Sequence, residues 1–271
     1  MNSFGRFKVG VFDSGLGGLS VLRTIWKETN NIDFIYLADL DNSPYGSKSK
    51  RNILQYSKIA YEYLVDKNCD AVVFACNTAT SAAAEILRSN SKIPIIGMEP
   101  AVKPAVIENP NQSVAVFATD LTLKEEKFQN LVSSFSESAE IIPVSCEGLA
   151  KLIDNDLWDE AWDFFNTRIK SVISKTKIFV LGCTHYVFLK ERILYNYPDV
   201  KIYDGNLGTN NRLKDVLNIS QHSGNDQKNG LDILLNTSNS DYVHLTGRIA
   251  KTISSCHTVS LINTNLGKIH A

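Results

Sequence analysis

No apolar run in this 271-residue chain approaches the ~20 residues that a membrane-spanning helix needs. The opening stretch Met1–Lys8 also lacks the apolar core of a signal peptide. A soluble, cytoplasmic protein is the expectation. Charge of one sign is lacking as well: 28 basic residues against 29 acidic leave a net charge of −1. That removes the electrostatic case for nucleic acid or an anionic membrane as a main partner. Cysteine is sparse and irregular, with five in all, Cys69, Cys76, Cys146, Cys183 and Cys256. An odd count without regular spacing argues against a disulfide framework and for reduced thiols. There is no C-x-x-C or H-x-x-x-H pair, so no metal site is expected. The stretch Gly15–Leu16–Gly17–Gly18 is not the G-x-G-x-x-G of a dinucleotide site, and no pyridoxal motif is present, so no cofactor is expected.

What is present is organised around two matching stretches. In Val72–Val73–Phe74–Ala75–Cys76–Asn77–Thr78 an apolar run fit for a buried strand ends in a thiol and two helix-capping side chains. Ile178–Phe179–Val180–Leu181–Gly182–Cys183–Thr184–His185 repeats the plan. Each puts a cysteine at the carboxyl end of a strand, where open α/β sheets bind ligands. A helix amino end beside it favours thiolate over thiol. Read singly, either cysteine fits a small buried hydrophobe; the matched contexts favour a functional pair.

The landmarks repeat at roughly 106 residues: Val114–Phe117 echoes Val9–Phe12, Cys183 echoes Cys76, and Val200–Asp204 echoes Ile93–Gly97. The expected fold is α/β, with two similar parallel-sheet α/β domains facing each other across a cleft. Residues 1–98 plus 210–271 form the first and 99–209 the second. The repeat is incomplete, because Ala118–Thr119–Asp120 stands where Asp13–Ser14–Gly15 stood, and the tail after about Asn210 has no counterpart. Helices are expected at Thr78–Arg88, Trp158–Ile173, Asn211–Leu217 and Tyr242–Ser254. A strand is expected at Leu231–Leu235, and a mobile loop over Asn218–Asn229. Hinges are expected near Met98–Pro100 and Gly205–Asn210.

Two thiols facing each other suit proton transfer at a carbon stereocentre. One, as thiolate, removes a proton from one face; the other, as thiol, returns one to the opposite face. The Gly-rich loop at Ser14 and the amides after the cysteines would hold the substrate carboxylate.

The segments VGVFDSGLGGLSVLR, YLADLDNSPYG, ACNTAT, IPIIGMEP and GCTHY, in this order, closely resemble the cofactor-independent glutamate racemases over most of residues 8–206. The resemblance implies that Cys76 and Cys183 are the acid/base thiols, assisted by Asp13 and His185. It implies that Ser14, Tyr45, Gly46, Asn77, Thr78 and Thr184 bind substrate, with Asp39 an acidic residue near the pocket. It further implies that Cys76 serves D-glutamate and Cys183 L-glutamate, with the D enantiomer supplied for peptidoglycan. A homodimer is the expected assembly. Read without the resemblance, Asp13, Asn77 and Thr78 fit plain helix caps, and Tyr45–Gly46 a turn. The chain departs from the family pattern at Val187, where proline is usual, and at Leu40–Asp41–Asn42. Asp154 stands where a glutamate is common, one methylene shorter, as a possible supporting residue. A racemase for aspartate or another acidic amino acid, and a two-lobed amino-acid-binding regulator, are the competing readings.

Overall fold

A computed structural model of the chain describes residues 6–219, 228–255 and 257–262. Ten strands run through it: β1 (Phe7–Asp13), β2 (Ile32–Ala38), β3 (Ala71–Phe74), β4 (Ile95–Gly97), β5 (Val114–Ala118), β6 (Ile141–Ser145), β7 (Ile178–Leu181), β8 (Lys201–Asp204), β9 (Gly230–Asn236) and β10 (Thr258–Ile262). They form two sheets, ordered β10-β9-β2-β1-β3-β4 and β6-β5-β7-β8, and every pairing is parallel. Central strands such as Ala71–Phe74 and Val114–Ala118 are buried along their whole length. That is why they read as unbroken apolar runs rather than alternating ones.

The sheet orders expose the repeat directly. β2-β1-β3-β4 and β6-β5-β7-β8 have the same order, each opening on the outer strand reached second in the chain. β9 then pairs with β2 from Asp33↔Gly230 to Ala38↔Leu235, so the tail extends the first sheet.

Some local expectations shift. The helix after Cys76 begins as Asn77–Ala79, widens to a π-helix over Thr80–Ala84 and ends as Glu85–Arg88. The Thr80 hydroxyl donates to Phe74 O (3.0 Å) and accepts from Met98 N (3.0 Å), tying the widened segment to β3 and the chain after β4. Such π-segments tend to occur at functional sites. Cys183 is followed not by an α-helix but by a 3₁₀ stretch, Thr184–Leu189. The helix expected from Asn211 starts at Asn206, where the Asp204 carboxylate accepts the Asn206 N–H (3.1 Å) at the first turn. Most of the expected hinge segment Gly205–Asn210 is therefore helical. The loop expected over Asn218–Asn229 lies mostly outside the described residues, as does Cys256.

In the second sheet the core centres on Phe117, whose ring lies 5.0 Å from those of both Phe165 and Phe179. Phe117 is fully buried. Phe117→Ala is expected to destabilise the protein by about 3–5 kcal/mol, since it leaves a cavity between two rings fixed by strand and helix. Guanidinium unfolding checks this, and a loss under about 1 kcal/mol would mean that the site collapses freely.

Candidate active site

The carboxyl ends of the central strands meet at one seam. Asp13 ends β1, Cys76 follows β3, Thr119 follows β5 and Cys183 follows β7. The Gly-rich loop after β1 lies directly on the segment after β7. A methyl group built on Gly17 would sit 2.4 Å from both Thr184 Oγ1 and His185 Nδ1, and one on Gly15 2.4 Å from Asp154 Oδ2. Glycine is required there by close approach rather than by an unusual backbone angle.

Asp13 is fully buried. Its Oδ1 accepts the Gly15 N–H (2.9 Å), shaping the loop, and its Oδ2 accepts the Thr184 hydroxyl (3.2 Å) from the other half. Burial pushes its carboxyl up from 3.8 to about 6. The His185 charge and the Gly15 and Thr184 hydrogen bonds oppose the rise, and Asp154 adds to it.

Asp154 answers from the second half. Its Oδ1 lies 2.9 Å from His185 Nε2 and accepts the Leu16 N–H (3.0 Å), while its Oδ2 accepts the Ser43 hydroxyl (3.0 Å). The shorter side chain still reaches the imidazole. Burial works against a charged His185, yet Asp154, by charge and hydrogen bond, outweighs it; Cys183 adds to the effect, and the imidazole titrates well above its usual 6.5. His185 Nδ1 faces Cys183 Sγ at 3.7 Å.

Cys76 caps the short helix after it, its Sγ accepting the Ala79 N–H (3.4 Å) and lying 3.4 Å from Ser14 Oγ. The expected thiolate-favouring helix end is thus present but overruled. Burial, then the Asp13 charge, pushes the thiol from 9.0 up to about 12, with Cys183 adding to the rise and Ser14 and Ala79 offsetting only part of it. At Cys183 the backbone is extended and its side chain caps nothing.

The predicted binding residues divide by place. Ser14 Oγ lies 3.4 Å from Cys76 Sγ, and the Thr184 hydroxyl donates to Asp13 Oδ2 (3.2 Å). The Thr78 hydroxyl lies 3.2 Å from Thr119 Oγ1 and 3.4 Å from Thr122 Oγ1, linking the halves. Asn77 Oδ1 is buried and has no hydrogen-bond partner among the described residues. Asp39 sits deeper, accepting from Tyr45 OH (2.6 Å), from Asn42 Nδ2 (2.9 and 3.1 Å) and from Asn236 Nδ2 (2.7 Å), so it steadies the Tyr45–Gly46 turn. Burial raises its carboxyl despite these donors. Sequence reasoning passed over Thr119, Thr122, Ser43 and Asn236. Thr119 carried a signal, since the repeat sets it at the position of Ser14; Asn236 carried none.

Two similar α/β halves, each burying a cysteine beyond a strand end and sending a carboxylate to the other, define a two-domain isomerase. The chain is 46% identical over 222 residues to a glutamate racemase of Leptospira borgpetersenii serovar Hardjo-bovis (strain JB197), spanning 82% of this chain and 86% of the relative. The Escherichia coli glutamate racemase in complex with L-glutamate and the activator UDP-MurNAc-Ala has a similar fold (TM-score 0.80, 24% identity, 94% of this chain and 98% of that one). So does the Aquifex pyrophilus glutamate racemase (TM-score 0.72, 29% identity, 94% and 98%). This chain belongs to the Asp/Glu/hydantoin racemase family, which matches residues 20–207.

Asp13 binds a proton more readily in the folded chain, at about 6, than an ordinary aspartate does at 3.8. Its contribution favours folding at low pH and is lost as pH rises through 6, by about 3 kcal/mol in all. Asp13→Asn removes that dependence. Relative to the parent, the variant is expected to gain stability between pH 4 and pH 8, as read by denaturant midpoints, while losing turnover. A stability difference that stays flat across this range would contradict the raised carboxyl.

Proposed function

We propose that this protein interconverts L- and D-glutamate without a cofactor, with Cys76 and Cys183 as the paired acid and base. The observation that carries the reading is the two thiols at equivalent strand ends of a repeated fold, joined through Ser14, Asp13 and Thr184. The 46% identity to a glutamate racemase supports the substrate. Of the two thiols, Cys76 is the one held as an acid by burial and Asp13. His185, kept charged by Asp154, faces Cys183 and is placed to offset a thiolate there. In that state Cys183 takes the α-proton from L-glutamate and Cys76 delivers one to the opposite face; D-glutamate reverses the roles. Ser14, Asn77, Thr78 and Thr184 bind the amino-acid head, and the Tyr45–Gly46 turn its distal carboxylate. Asp39 and Asp154 act as supporting residues.

The unpartnered Asn77 Oδ1 supports a ligand contact at that point, because a buried polar atom without a partner is costly. The division into 1–98 with 210–271 against 99–209 places the moving parts at Met98–Pro100. The helix starting at Asn206 draws the return crossing back to Gly205. Opening would break the Asp13–Thr184 and Asp154–Leu16 contacts. No helix among the described residues is long and apolar enough to cross a membrane. A cytoplasmic homodimer supplying D-glutamate for peptidoglycan completes the proposal.

Incubation with L-glutamate followed by chiral chromatography tests the reaction, with L-aspartate as comparison. Cys76→Ala and Cys183→Ala are each expected to abolish racemisation, and the serine variants to slow it by orders of magnitude, because an alkoxide is scarcely populated near neutral pH. In deuterated water the intact enzyme should place deuterium at Cα chiefly in the product enantiomer at early times. Near-normal racemisation by either alanine variant would remove the two-thiol mechanism.

A further inference from the structure

Glu147 lies in the turn after β6 and reaches across the seam to the Tyr45–Gly46 turn of the other half. A methyl group built on Gly46 would stand 2.9 and 3.0 Å from its two carboxylate oxygens and 3.1 Å from Thr119 Cβ. The carboxylate is half-buried and accepts one long hydrogen bond, from Asp120 N–H at 3.3 Å. No cation is paired with it among the described residues. Beside it stand the Gly46 backbone, Thr119 and Asp120, and the Thr119 hydroxyl lies 3.2 Å from that of Thr78 and 3.0 Å from that of Thr122.

Neutral donors can bind one carboxylate well, but two at the same turn repel with no positive charge between them. We propose that Glu147 holds down affinity for the substrate: its carboxylate occupies the position beside Gly46 that the distal carboxylate of an acidic amino acid takes, and must turn away for that substrate to bind. The inference rests on the glutamate reading above. It adds that this chain carries its own negative charge at the distal end of the site, so that affinity for dicarboxylates is held down there. The thiols and His185, at the α-carbon end, are not part of this contact.

Glu147→Gln keeps the shape and removes the charge. The KM for L- and D-glutamate is expected to fall about fivefold or more. The Kd of glutarate, which has both carboxylates but no amino group or stereocentre, should tighten by a similar factor in calorimetry. Glu147→Asp, which draws the charge back by one methylene, should fall between the two. The glutarate measurement reads Glu147 even where turnover fails, so the two proposals fail separately. Absence of glutamate racemisation by the parent protein would sink the function. Unchanged or weaker glutarate binding by Glu147→Gln would overturn the role given to Glu147, the weaker result meaning that the carboxylate braces the turn instead.

Discussion

Two buried carboxylates exchanged across the seam hold the site in its present form. Asp13 leaves the end of the first sheet and accepts a hydrogen bond from Thr184 of the second half. Asp154 leaves the second half and accepts from Leu16 and Ser43 of the first while pairing with His185. Each half thus satisfies a charge that the other has buried. Isolated buried carboxylates are costly, and truncating one partner of such a set costs more than the pair contributes. The close fit of Gly15 and Gly17 against Asp154, His185 and Thr184 follows from it, since a side chain at either glycine would hold the carboxylates apart.

The same burial sets the electrostatics. Burial raises both Asp13 and Cys76; Asp154 adds to the rise at Asp13, and the Asp13 charge adds to the rise at Cys76. At His185 burial works toward neutrality and the Asp154 carboxylate wins. The result is an asymmetric pair of thiols in a nearly symmetric fold, Cys76 raised in part by the Asp13 carboxylate and Cys183 facing an imidazole that Asp154 contacts. An acid and a base of the same residue type need such a difference in surroundings.

The tail contributes beyond extending the first sheet. Asn236, at the end of β9, donates to Asp39, which in turn accepts from Tyr45. Helix Asp241–Ala250 carries Arg248, which forms a double contact with Asp156 at 2.6 Å, two residues beyond Asp154. The pair is exposed and worth little as stability. It nevertheless ties the segment without a repeat partner to the turn that follows Asp154.

The sequence by itself determined the two halves, the strand ends and the two thiols. Apolar runs of four to seven residues, broken by Gly, Asp, Cys and Thr, can be little other than buried parallel strands meeting loops. It also supplied Asp13, Thr184 and His185, which are neighbours in the chain of those strand ends. Only the tertiary structure decided which groups meet across the seam. Asp154 reaches His185, Ser43 reaches Asp154, Thr78 reaches Thr119 and Glu147 reaches Gly46, all from distant segments whose spacing encodes no distance. The helix end at Cys76 was legible, but its consequence was not, because desolvation depends on what packs around the sulfur and here outweighs the local amides.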